Sequence, residues 1–149
     1  MQYKTPHGDI DQSAISRKND YLFRLSIKAL VQNEYGEVLV VKETGRGWWD
    51  LPGGGMDHEE SIKDAIAREL KEEVNLNGDF TYKVISVDEP SFLEHANLWQ
   101  VRLVFLVKPA VMQFSPGEDG DDLTFIRPDT LRDSTHGAER SVYQYSQLV

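Results

Sequence analysis

No cysteine occurs among the 149 residues. That excludes disulfide frameworks, thiolate zinc sites, iron–sulfur clusters and a cysteine nucleophile. Histidine is scarce as well, with His7, His58, His95 and His136 scattered without ligand spacing, which argues against a zinc site. Basic residues are in deficit: 16 Lys plus Arg stand against 25 Asp plus Glu, a formal net charge of −9. Neither a grip on duplex nucleic acid nor a polybasic membrane anchor fits that balance. A small phosphorylated ligand still fits, because bound metal ions reverse the local sign. No apolar run reaches the roughly 18 residues of a membrane span. The opening stretch MQYKTPHGDIDQ lacks the basic-then-apolar layout of a signal peptide. A cytoplasmic protein away from membranes is the expectation. With 40% hydrophobic residues, the length suits one domain with a sizeable core.

Residues 1–18 are polar and aperiodic and read as an N-terminal arm ahead of a domain over residues 19–149. Phe23, Leu25, Ile27, Ala29 and Val31 alternate with Arg24, Ser26, Lys28 and Gln32, with Leu30 breaking the polar side. This predicts a strand with one buried face. A turn at 33–36 and the run Val38-Leu39-Val40-Val41 complete an expected β-hairpin. Residues 44–56 hold five glycines and Pro52 and read as a shaped loop. Strands are expected over 80–87, 98–107 and 123–126, an acidic loop over 115–122, a helical turn over 128–132 and a final helix over 138–148.

The clearest helix spans 61–74. Ile62, Ile66, Leu70 and Val74 make an apolar stripe, while Asp64 and Lys71 point away from it. Glu69, Glu72 and Glu73 share one face, and Arg68 lies within reach of Glu72. Like charges at this spacing destabilise a helix by about 0.2–0.5 kcal/mol per pair. The acids also sit near the C-terminal end, where the helix dipole disfavours anions. One reading is a solvated acidic face. The other is a carboxylate cluster for a hard cation, Mg²⁺ or Mn²⁺. Just upstream, Gly53, Gly54 and Gly55 let backbone approach a ligand closely, although a tight turn alone would also use them.

Taken together, these residues resemble the Nudix hydrolase motif, G-x5-E-x7-R-E-U-x-E-E-x-G-U with U a bulky aliphatic residue. It runs from Gly54 through Glu60, Arg68-Glu69, Leu70 and Glu72-Glu73 to Leu76. Eight of its nine specified positions agree; Asn75 stands where the family has Gly. Asn is the usual second choice for a left-handed residue at a helix end. Glu59 is a softer departure, where many members carry Gly. The lead-in Trp49-Asp50-Leu51-Pro52-Gly53-Gly54 is similar too, and the order of strands and loops fits over roughly residues 20–133.

The resemblance implies an α+β fold, an α/β/α sandwich around a central mixed sheet. It implies metal-dependent hydrolysis of a nucleoside diphosphate linked to another group, releasing a nucleoside monophosphate. Glu69, Glu72, Glu73 and the Gly53 carbonyl would hold Mg²⁺ or Mn²⁺. Arg68 would orient the carboxylates, Glu60 would support the loop–helix junction through Arg68, and Gly54 and Gly55 would border the substrate. Glu72 is the first choice for general base, with Glu118 of the acidic loop as its rival and Asp119, Asp121 and Asp122 behind. Trp48 is the favoured stacking partner for a base, ahead of Trp49, Phe92 and Trp99, because two adjacent Trp in a glycine-rich loop do not readily both face inward. A non-catalytic nucleotide-sensing module on the same fold is the alternative. It would be expected to lose motif acids, and all four Glu and the Arg are here. Homodimers are common among similar proteins, so a homodimer is a mild expectation.

Overall fold

The computed structural model describes residues 2–5, 8–11 and 22–149, and the side chains of 22–149. β1 (Gln2–Thr5) and β2 (Gly8–Asp11) pair antiparallel in a sheet of their own. The arm expected over 1–18 thus includes a short hairpin, and its remaining residues lie outside the described ones.

The central sheet has the order β5–β3–β8–β6, made of β3 (Phe23–Leu30), β5 (Gly53–Gly55), β6 (Phe80–Val87) and β8 (Leu98–Pro109). β3 and β8 run parallel, the other pairs antiparallel, so the sheet is mixed. The short β7 (Ser91–Leu93) adds to β8. β4 (Val38–Glu43) and β9 (Gly120–Ile126) form a third, two-stranded sheet. A 3-10 turn at Pro128–Leu131 leads to α2 (Gly137–Ser146).

Strand alternation distributes apolar side chains to two core layers. Ile27 and Ala29 of β3, Leu39 and Val41 of β4 and Phe105 and Val107 of β8 meet Ile66, Leu70 and Val74 of α1 (Ile62–Val74). On the opposite face, Leu30, Val38, Val40 and Val104 meet Leu131 and the α2 residues Val142 and Tyr145. Each fully buried Leu or Val contributes about 1.5–3 kcal/mol. A helix packed on each side of the strands is the α/β/α sandwich expected. Among the described residues no helix is long and apolar enough to cross a membrane.

Several local expectations change. β3 and β4 keep only the start of a hairpin: Gln32 and Val38 bridge and Leu39 N–H donates to Val31 O at 2.9 Å, after which the strands part. β4 is apolar on both faces and gains more by lying between the two core layers, paired to β9. Nor is β3 one-sided. Ser26 and Lys28, read as its polar face, are buried together with Leu30. The glycine-rich loop contains β5, a three-residue edge strand on β3. The last residues of the acidic loop, Gly120–Asp122, belong to β9.

Both ends of α1 are capped as the residues demand. Ser61 Oγ accepts from Asp64 N–H at 3.0 Å. Asn75 is left-handed, with φ 52°, and Leu76 N–H returns to Leu70 O at 3.1 Å. Glu59 is also left-handed, with φ 63°, at the other position where this chain departs from Gly. Such a conformation costs a residue with Cβ about 1 kcal/mol. Asn75→Gly and Glu59→Gly are therefore expected to stay within about 1 kcal/mol of the parent or above it, whereas Asn75→Val loses more, since β-branching resists positive φ. Denaturant midpoints check this; equal stability of the Asn75 variants would contradict it.

Candidate active site

Arg68 is the hub of the α1 acids. Its Nε and Nη2 donate to the two Glu60 oxygens at 2.7 and 3.0 Å. Its Nη1 donates to Glu69 Oε1 at 2.9 Å and, more weakly, to Glu72 Oε2 at 3.3 Å, while Nη2 also reaches Gly55 O at 3.0 Å. One planar guanidinium thus ties the helix to the glycine run and the turn before it. Glu60 completes that turn by accepting from Asp57 N–H at 3.1 Å. The bond from Arg68 holds the Glu60 carboxyl below its ordinary value, and Arg68 itself is held charged.

The three helix acids occupy different environments. Glu73 is buried, and its Oε2 accepts from Gly53 N–H at 2.8 Å. Burial pushes its carboxyl up to about 9, against the pull of Lys28 and the Gly53 N–H. Glu69 is buried too; burial raises its carboxyl while Arg68 pulls it down. Glu72 is the open one, with 35% of its side chain exposed. Gly54 is a cradle for Glu69: a Cβ there would lie 2.7 Å from Glu69 Oε1.

Burial of Glu73 has a consequence for pH dependence. A carboxyl raised in the folded chain adds stability fully below its ordinary 4.5, and that contribution is lost as pH rises from there through about 9. In metal-free buffer the thermal midpoint is expected to fall from about pH 5 to about pH 9, with Glu73→Gln flattening the slope. Identical slopes in parent and variant would contradict this.

Lys28 lies beneath the glycine run. Its Nζ donates to Leu51 O at 3.1 Å and Gly53 O at 3.3 Å and pairs with Asp50 at 3.2 Å. The β3 alternation places Lys28 on the polar side of the strand; Leu30 on that same side is the one residue of the pattern that marks it as buried.

The acidic loop folds onto the end of α1. Ser115, Gly117 and Asp119 N–H groups donate to the carbonyls of Val74, Glu73 and Glu72 at 3.1, 3.1 and 2.9 Å. This satisfies carbonyls that a helix end otherwise leaves open. It also brings Glu118 to the rim of a cleft of about 590 Å³ that Arg68 and Glu72 share. Asp121, by contrast, is occupied in accepting from Gly45 N–H at 3.1 Å. A larger cavity, about 910 Å³, is lined by the 32–35 turn, Lys83 and Leu148, and none of the acids of α1 or of the 115–122 loop lines it. The chemistry of the smaller cleft outweighs the volume of the larger.

Of the aromatic candidates, Trp49 packs on the α2-side core, while Trp48 stacks on His136 with centroids 4.3 Å apart and planes 15° apart. One face of Trp48 is therefore taken. Phe92 and Trp99 are exposed and contact each other at 5.7 Å. Strand alternation puts Trp99 on the face of β8 opposite Gln100 and Arg102.

Among the described residues no three acid or His side chains already converge as a closed metal cage. Arg68 draws Glu69 and Glu72 to itself, and Gly53 holds Glu73. The donors nevertheless fit a hard divalent cation: they are oxygens, and two of the carboxyls are buried, where a cation relieves the cost of their charge.

The model of the NUDIX domain matches residues 22–145, and the chain belongs to that family. It is 41% identical over 54 residues to an RNA pyrophosphohydrolase of Shewanella denitrificans, a match covering 36% of this chain and 31% of that protein. It is 36% identical over 70 residues, 47% of each chain, to a Bacillus subtilis protein provisionally named an 8-oxo-dGTP diphosphatase. The chain thus spans less than half the length of these curated relatives. Among solved structures, a MutT protein from Methanosarcina mazei superposes with TM-score 0.66 at 21% identity, over 87% of this chain and 96% of that one. A MutT NUDIX hydrolase from Burkholderia pseudomallei gives 0.68 at 21% identity, over 83% and 98%. These likenesses concern the fold.

Proposed function

We propose that this protein hydrolyses the diphosphate bond of a nucleoside diphosphate linked to another group, releasing a nucleoside monophosphate and the phosphorylated second group. The observation that carries this reading is the arrangement around Arg68. A single guanidinium holds Glu60, Glu69 and Glu72 beside Gly55, with Glu73 anchored on Gly53. An acidic interaction surface without a ligand would need neither the buried carboxyls nor the glycine cradle.

Glu69, Glu72, Glu73 and the Gly53 carbonyl would hold a divalent cation, Mg²⁺ or Mn²⁺. Such an ion, when bound, neutralises phosphate oxygens and lowers the pKa of water. Gly54 and Gly55 leave room for phosphate oxygens to approach the backbone. Arg68 fixes the carboxylates of Glu69 and Glu72, the latter on the cleft. Glu72, the most exposed of the three, takes the proton from the attacking water; Glu118 across the cleft is the alternative acceptor. Trp48 is not free to stack on a substrate as it stands, with His136 against its ring and the Arg46 guanidinium 5.8 Å from its centroid.

Two measurements test this. A panel of nucleoside diphosphate derivatives with Mg²⁺ or Mn²⁺ is expected to release monophosphate, and the activity to vanish in EDTA. At a hundredfold excess over Kd the metal is expected to stabilise the fold by about 2.7 kcal/mol, or roughly 5–10 °C in Tm. No metal-dependent shift and no hydrolysis of any diphosphate would overturn the reading.

A further inference from the structure

The α2-side face of the sheet carries a polar row where apolar residues would be expected. The register sets Gly55 of β5 against Ser26 of β3, and Ser26 against Arg102 of β8. Asp88, just past β6, continues the row by donating its N–H to Arg102 O at 2.9 Å. On the same face of the same strands, Leu30 and Val104 are fully buried and apolar, yet Ser26 and Gln100 are buried as well. The row starts at the glycines beside the acid cluster and ends in a cavity of about 460 Å³. Asp88, Glu89, Ser91, Gln100, Arg102 and Tyr145 line that cavity. Two strand spacings of about 4.8 Å separate Gly55 from Arg102. That span suits a nucleotide with its diphosphate at the acids and its base at the arginine.

The cavity's polar groups are fixed in position. Tyr145 Oη donates to Asp88 Oδ2, and Asp88 Oδ1 accepts from Ser86 Oγ at 2.7 Å. Arg102 lines the same cavity as Tyr145 and Asp88. Of its five N–H groups, Nε–H is buried without a partner. A buried donor without a partner is unfavourable, so internal hydrogen bonding alone does not account for an arginine here. The carboxylates of Asp88 and Glu89 keep unused lone pairs, because an ionised carboxylate accepts at about four sites. The cavity therefore offers a cationic donor beside anionic acceptors.

The complement of that pair is a ligand edge with an acceptor next to a donor. Guanine, hypoxanthine and uracil carry such an edge, a ring C=O adjoining a ring N–H. Adenine and cytosine present the reverse: an amino group would meet the guanidinium, and a bare ring nitrogen would meet the carboxylates. We infer that this cavity is the base subsite, and that Arg102 with the Asp88–Glu89 carboxylates selects nucleotides bearing a keto–lactam base edge. The inference rests on the proposed diphosphate site and adds the substrate class to it.

Titration calorimetry of the protein with GMP, IMP, UMP, AMP and CMP in Mg²⁺ tests it without needing turnover. The first three are expected to bind at least about tenfold more tightly than AMP and CMP, because a mismatched polar edge leaves buried groups unpaired. In Arg102→Met the ratio of GMP to AMP affinity is expected to fall to within about twofold of one. Equal affinities in the parent, a preference for AMP or CMP, or a ratio retained in folded Arg102→Met would overturn the inference. The parent panel decides the matter even if that variant does not fold. Hydrolysis of diphosphates without base preference would sink this inference and leave the hydrolase reading intact. Selective binding with no hydrolysis would do the opposite.

Discussion

Glu72→Gln is expected to lower turnover by roughly 10²–10⁴-fold at saturating metal, the range for loss of a general base. The substitution keeps the size of the side chain and removes its charge and basicity. The metal-free fold should not suffer. Glu72 is the most exposed of the three clustered acids Glu69, Glu72 and Glu73, its bond to Arg68 is long at 3.3 Å, and removing one of three repelling charges relieves the helix. Glu118→Gln is expected to do less, because Glu118 reaches the cleft from the exposed loop on the far side. Turnover of both variants, measured beside their metal-free melting points, decides the assignment. Should Glu118→Gln be the more damaging while Glu72→Gln keeps most activity, the proton acceptor belongs to the acidic loop.

A methyl group at Gly53 is expected to have the largest effect on stability. Gly53 has φ 142°, and a Cβ there would lie 2.1 Å from Ile27 O and 2.8 Å from Lys28 Cα. Both obstacles are backbone of β3, the strand at the base of the site, and neither yields by rotating a side chain. Strain of this kind costs about 3 kcal/mol or more, some 10 °C in Tm for a domain of this size. Gly53→Ala also disturbs the N–H that holds Glu73. Gly54→Ala is the control. Its Cβ would meet only the carboxyl end of Glu69 at 2.7 Å, which can swing away. Gly54→Ala is expected to stay within about 1 kcal/mol of the parent. It should still lose activity at least tenfold, because Glu69 no longer lies in its cradle. Thermal melts and turnover of the two variants separate the cases; a folded, stable Gly53→Ala would show that the edge strand is not pinned to β3 as described.

The local parts of this protein were legible in its residues. The stripe from Ile62 to Val74, and Glu69, Glu72 and Glu73 on one face with Arg68 beside them, all follow from helical spacing. Asn75 as a left-handed terminator follows from the backbone preferences of Asn. The resemblance to the Nudix motif implied that Glu60 acts through Arg68, and the structure closes that pair at 2.7 Å.

What spacing did not reveal were contacts between segments far apart in the chain. Periodicity reports which side of an element is apolar, and it misleads where a buried face carries polar residues. Ser26 and Lys28 read as solvated because their burial depends on β5 and β8, which lie more than 20 residues away. The separation of β3 from β4 has the same origin. A hairpin is the favoured local solution, and β9, some 80 residues on, outcompetes it because β4 needs apolar cover on both faces.

By itself, then, the sequence determined α1, its left-handed end at Asn75, its shared acidic face and the glycine run before it, since these depend on backbone preference and on spacings of three and four residues. Only the tertiary structure decided that Glu73 and Glu69 are buried while Glu72 is open. It alone folded the 115–120 loop over the helix end to face Glu72 with Glu118, and joined Arg102, Tyr145 and Asp88 in one cavity. Each of those outcomes depends on which strand pairs with which. That choice is made by burying the whole chain's apolar surface at once, and no short window of residues records it.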